Sequence, residues 1–240
     1  MCPDIPNGTP QTELHRGTRR FLIKAIASIP LTAAVLFVSA GTVRWPMAWA
    51  YVLIGVATVL AMLLIVMPKH PDLIAERSRM HPDTKPWDRV LAPLGAAGTA
   101  MANMIVGGLD YRLGWAPEIP LWGQLVGMLL VLIASTLVIW AMYENRFFSA
   151  TVRIQTDRGH TVCSDGPYQY VRHPGYSAWI LLAVGVPIML GSARALIVTA
   201  VSFVAIVLRT WLEDATLARE LPGYEMYRQR VRYRLIPGVW

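Results

Sequence analysis

The stretch GPYQYVRHPGY, Gly166 to Tyr176, sets an arginine, a histidine, two prolines and three tyrosines beside one another. These are groups that recognise charge. A guanidinium grips a carboxylate with two parallel hydrogen bonds, an imidazole donates or accepts, and a phenol ring covers a cation or a flat base. Further along, RTWLEDATLAREL places Arg209 and Glu213 four apart, on one face of a helix. Together the two stretches make a candidate site of what would separately be isolated features. Each residue also has a plainer reading. Arg209 and Glu213 can be an exposed ion pair worth little. His173 before Pro174 can be a turn residue, and Tyr170 and Trp179 can belong to an interfacial aromatic belt.

The elements that must position these groups are apolar. The chain has 240 residues, 55% hydrophobic and 15% charged, with a mean hydropathy of +0.43. A soluble domain of this size carries about 25% charged residues. The composition therefore predicts an all-α, polytopic membrane helix bundle of about six spans: Phe21–Val43, Met47–Met67, Val90–Leu109, Leu121–Trp140, Tyr176–Leu190 and Ala193–Leu208. The last two are joined only by GSA and read as a tight helical hairpin. Pro30 and Pro187 fall inside spans, where each is expected to kink its helix. If Ala193 runs unbroken to Leu221, the rod is roughly 43 Å long, and its final turns must leave the membrane core. That is where Arg209 and Glu213 sit.

Six spans put the amino terminus, the 68–89 and 146–172 loops and the tail on one side. These regions hold 19 of the 22 Lys and Arg residues. The positive-inside rule makes that side cytoplasmic, with both termini there, and the basic excess becomes a matter of topology rather than nucleic-acid binding. The first span follows a basic segment and ends near Val-Ser-Ala; its length favours an uncleaved anchor over a signal peptide. Three regions are expected: a flexible tail over residues 1–20, N-terminal helices over 21–140, and a region over 141–240 that carries the chemistry.

The 68–89 loop contains two His-Pro-Asp triplets, His70–Asp72 and His81–Asp83. No third ligand follows at helical spacing, so turn chemistry is preferred to a metal site, with Asp capping the short helix LIAERSRM. This loop is expected to pack under the site as a lid. Cys2 and Cys163 form no CxxC or zinc spacing.

The order G-P-Y-x-x-V-R-H-P-x-Y, then R-T-x-x-E-D-x-x-L, then G-Y-x-x-Y and V-x-Y-R-L-I-P resembles the isoprenylcysteine carboxyl methyltransferase family, a group of integral-membrane enzymes with phospholipid N-methyltransferases as wider relatives. The resemblance covers Asn145 to Trp240. It implies S-adenosyl-L-methionine as cofactor, held on the cytoplasmic face by the loop before the hairpin and the extended last helix. By that resemblance the cofactor-binding residues are Gln155, His160, Thr161, Val162, Cys163, Tyr168, His173, Pro174, Gly175, Tyr176 and Glu213. Arg209 takes the role of the substrate-holding arginine. Asp214 stands where many relatives have glutamate. The implied acceptor is lipid-like or amphiphilic, most simply a carboxylate, and the implied setting is the bilayer with no obligate protein partner. Three alternatives stand beside it: an amine acceptor, a sterol-type reductase using NADPH, and a non-catalytic lipid-binding bundle. No Gly-rich strand-to-helix fingerprint occurs, which argues against a soluble Rossmann-type cofactor domain.

Overall fold

The structure, a computed structural model, describes residues 11–115 and 119–240. All regular structure among the described residues is helical. Among the described residues five helices are long and apolar enough to cross a membrane: α1 (Gln11–Ala40), α2 (Pro46–Lys69), α4 (Asp88–Leu113), α5 (Leu121–Glu144) and α7 (Ala195–Glu220). The first arm of the expected hairpin, α6 (Pro174–Met189), is apolar but only 16 residues long. Among the described residues there are also two short α-helices, α3 (Pro71–Glu76) and α8 (Tyr224–Arg230), and two 3-10 turns, Thr156–Arg158 and Gly166–Gln169.

Lipid-facing surface is plain on the outer helices, where Ile26, Val38, Leu64 and Val201 are more than half exposed. So many outward apolar side chains on helices of this length fit a multi-pass membrane protein. The helices meet through small residues. A Cβ on Gly127 of α5 would lie 2.3 Å from the Met189 amide of α6, and the α5–α6 pair is the most extensive helix contact. Leu36, Trp45, Val52, Met104, Val131 and Met189 form the core that joins α1, α2, α4, α5 and α6.

Three helices begin at proline: Pro46, Pro71 and Pro174. Proline's missing N–H is no loss at the first position, and its φ suits the helix. In α4, Pro93 opens a π-helical turn over Pro93–Gly98. Without an N–H at that point the regular ladder cannot continue unbroken.

Two expectations differ from the structure. α1 begins at Gln11, so the tail expected over 1–20 is helical from that residue on; residues 1–10 lie outside the described residues. Packing accounts for this, because a Cβ on Gly17 would lie 2.7 Å from Cβ of Ala75, which brings α1 tight against α3. The second concerns Asp72. It does not cap a helix: His70 is the N-cap of α3 and makes no side-chain cap bond, while Asp72 accepts from Arg146 and Arg158, both at 2.6 Å.

Candidate active site

A cavity of about 420 Å³ opens where α6 and α7 meet the loop that follows α5. Every residue assigned by the resemblance to cofactor or substrate borders it: Gln155, His160, Thr161, Val162, Cys163, Tyr168, His173, Pro174, Gly175, Tyr176, Arg209 and Glu213. The unbroken helix α7 carries Arg209 and Glu213 to this level, as the rod-length argument requires. Gly175 permits the loop to close over α6, since a Cβ there would strike the Phe148 ring at 2.6 Å.

Asp214 organises one wall. It is buried and accepts from Arg172 Nε (2.8 Å) and Nη2 (3.0 Å), Tyr224 Oη (2.8 Å) and Arg234 Nε (3.0 Å), with His173 Nε2 at 3.2 Å. The carboxylate shorter by one carbon therefore works as an internal hub. His173 faces that hub through Nε2, leaving Nδ1 as its other ring nitrogen. The tail is strapped to the same turn: the Arg172 and His173 amides donate to the Tyr233 and Arg234 carbonyls, each at 2.9 Å. Its basic residues are thus partly structural rather than a free lipid-attracted segment.

The opposite wall is a chain of charges. Arg209 donates through Nε (2.6 Å) and Nη2 (3.0 Å) to Asp88, and Nη2 also reaches the Ala150 carbonyl at 2.9 Å. The two-bond grip of Arg209 is thus directed at Asp88 at the start of α4. The guanidinium lies 5.2 Å from the centre of the Tyr176 ring, and the Tyr176 hydroxyl donates to Glu213 Oε2. Arg209 and Glu213 do share a face of α7, but each is bound to a partner from another element.

The loop between α5 and α6 supplies the rim. Gln155 is fully buried, its amide donating to the Phe147 carbonyl at 2.8 Å and accepting from Arg158. The Gln155 backbone N–H donates to His160 Nδ1 at 3.3 Å, and the His160 ring packs against Phe147, centroids 4.7 Å apart and planes tilted by 37°. Burial, with Arg158 and Arg153 nearby, lowers the His160 pKa to about 4. The ring is neutral at ordinary pH, with its N–H on Nε2. Burial raises the Tyr168 phenol well above its usual range, so it remains a neutral donor. Thr161 Oγ1 is buried and has no hydrogen-bond partner among the described residues.

Several residues that build the site escaped the sequence reading. Tyr224 and Tyr227 are buried and line the cavity, and the G-Y-x-x-Y spacing was their available signal. Trp179 faces the cavity rather than an interfacial belt, because Gly95 makes room: a Cβ there would sit 2.3 Å from the indole. Tyr170 is exposed, as a belt residue would be. The 68–89 loop braces the rim through ions. Arg153 bonds Glu76 at 2.7 Å, Asp83 at 2.9 Å and Asp157 at 2.8 Å. Only Arg77 of this loop reaches the cavity itself.

Comparison with known proteins bears out the resemblance. Residues 125–219 match the sequence model of the isoprenylcysteine carboxyl methyltransferase family. The chain is 27% identical over 121 residues to protein-S-isoprenylcysteine O-methyltransferase B of Arabidopsis thaliana, covering 49% of this chain and 59% of that protein. It is 35% identical over 66 residues to a probable protein-S-isoprenylcysteine O-methyltransferase of Oryza sativa subsp. indica, 27% and 35% of the two chains. Over 86 residues it is 33% identical to protein-S-isoprenylcysteine O-methyltransferase of Schizosaccharomyces pombe, 35% and 36% of the two. The aligned regions thus span 59% of the first of these relatives and about a third of the other two.

Proposed function

We propose that this membrane protein, whose residues 125–219 carry the isoprenylcysteine carboxyl methyltransferase pattern, is an S-adenosyl-L-methionine-dependent methyltransferase for a lipid-like carboxylate. The observation that carries the reading is the convergence of Arg209 and all eleven residues assigned to the cofactor by resemblance on one cavity beside the apolar helices. The positive-inside asymmetry supports a cytoplasmic position for that cavity and for both termini.

The residues present fit the cofactor. Glu213 keeps one carboxylate oxygen free of the Tyr176 bond, suited to ribose hydroxyls or an ammonium. Thr161 Oγ1 is a buried polar atom awaiting a partner, and His160 offers a neutral N–H. Tyr168 and Tyr176 line the cavity, and aromatic rings of this kind can cover an adenine or a sulfonium. When bound, S-adenosyl-L-methionine supplies an electrophilic methyl whose bonding pair leaves with sulfur as a neutral thioether. A carboxylate acceptor is already nucleophilic and requires no general base. The protein's task is then positioning and the exclusion of water. Phe147, Phe148 and Trp179 shield the cavity from the side, and the Asp214 hub keeps the turn rigid while the acceptor is seated.

Membranes containing the protein, incubated with methyl-labelled cofactor, are expected to yield a lipid-soluble product that releases labelled methanol in alkali, as a methyl ester does. A label stable to alkali would mark an amine acceptor, and no labelled product would remove the methyltransferase reading.

A further inference from the structure

Arg77 differs from the other arginines around the cavity. Arg146, Arg153, Arg158, Arg172 and Arg209 each bond a carboxylate. Arg77 has no acidic partner among the described residues; its one hydrogen bond runs from Nη1 to the Phe148 carbonyl at 3.2 Å. The acids of its own helix cannot serve it. Asp72 is held by Arg146 and Arg158, and Glu76 by Arg153 and His81.

We infer that Arg77 is the anchor for the acceptor's carboxylate, a positioning role that rests on the methyltransferase reading above. Its place suits that role. The guanidinium lies 5.3 Å from the centre of the Phe148 ring, and the same ring packs against Gly175 at the start of α6. Phe148 therefore connects Arg77 to the turn that carries Tyr176, and Arg77, Phe148 and Tyr176 all border the same cavity. The cavity continues past Val138, Trp179 and Leu182, apolar surface from α5 and α6 suited to a lipid chain.

Charge points the same way. Burial and the nearby Arg209 guanidinium lower the Arg77 pKa to about 10, which leaves it protonated at neutral pH. A half-buried cation beside a second cation and lacking an anion carries a cost. A ligand carboxylate relieves that cost; an ammonium adds to it. Arg209 cannot give the same two-bond grip without releasing Asp88. Arg77 also lies outside residues 125–219, so it belongs to the wall that the family match does not cover.

The test uses the full chain in detergent, saturated with S-adenosylhomocysteine and titrated calorimetrically with N-acetyl-S-farnesylcysteine or its primary amide. Losing a charge-assisted bond predicts that Arg77→Gln weakens the carboxylate probe by roughly tenfold or more and the amide by less than about threefold. Arg77→Lys is expected to recover part of the loss, with S-adenosylhomocysteine affinity unchanged in both variants. A preference for carboxylate over amide that survives Arg77→Gln overturns the inference. So does a parallel loss of S-adenosylhomocysteine binding in both variants, which assigns Arg77 to the cofactor's own carboxylate or to the fold. Equal binding of both probes to the wild type ends this inference and leaves the methyltransferase reading intact. If the wild type binds no S-adenosylhomocysteine, that reading fails first and takes the inference with it.

Discussion

His70–Pro71 and His173–Pro174 are the same device used twice. Each histidine is an N-cap with nearly the same backbone (φ −134°, ψ 69° and φ −127°, ψ 65°), and each proline opens a helix. Their fates diverge beyond the local chain. His70 Nε2 meets a single backbone carbonyl, Tyr143 O, at 2.9 Å. His173 joins the carboxylate that also gathers Arg172, Tyr224 and Arg234. The dipeptide specifies a helix start, and long-range partners decide whether that start becomes scaffold or site. The loops around them divide in the same way. The 68–89 loop contributes mainly ion pairs that brace the rim, while the 160–176 segment borders the cavity at His160–Cys163, at Tyr168 and from Arg172 to Tyr176.

The comparison breaks most sharply at the hub. Asp214→Ala leaves a buried arginine without its counter-charge and is expected to cost about 3–5 kcal/mol, read as a large fall in apparent Tm in detergent. At the other histidine, His70→Ala removes one hydrogen bond to a carbonyl and should cost only about 1 kcal/mol. Equal losses would mean that the two starts are equivalent.

Acid titration separates the two loops by pH window. Burial raises the Glu76 pKa, but hydrogen bonds from His81 and Arg153 outweigh it and hold the group at about 2, below its ordinary 4.5. Its stabilisation is complete above about pH 4.5 and fades as pH falls towards 2. His160 is held at about 4, below its ordinary 6.5, so folding favours the neutral ring. Its contribution is complete above about pH 6.5 and fades as pH falls towards 4. In Tm-against-pH curves, Glu76→Gln should flatten the lower window and His160→Gln the upper one. A single unchanged slope in both variants would contradict these assignments. The smallest effect is expected at the half-exposed Lys85–Glu220 pair, 2.7 Å apart, where Lys85→Ala should cost less than about 1 kcal/mol.

Much of this architecture was legible. The apolar runs gave the long helices, and the rod-length argument brought Arg209 and Glu213 to the level of the turn. Motif order located the cavity-lining residues of the carboxyl-terminal region. What stayed hidden depends on distant partners. Asp88 lies 121 positions from the arginine it holds, and nothing local marks it. Trp179 looked like a belt residue because its place in the cavity depends on the absence of a side chain at Gly95. Arg77 sat within an ordinary run, LIAERSRM, and its lack of an acidic partner is visible only once the neighbouring carboxylates are paired. Helical spacing suggested that Arg209 and Glu213 answer each other; packing gave them Asp88 and Tyr176 instead.

Calorimetric titration of the purified protein with S-adenosylhomocysteine decides whether this cavity holds the methyl-donor cofactor, as proposed. Saturable binding in the micromolar range, weakened by about tenfold or more in Glu213→Gln without a matching fall in Tm, is the predicted result. Absence of binding by the wild type, or undiminished binding by the folded Glu213→Gln variant, would contradict the account.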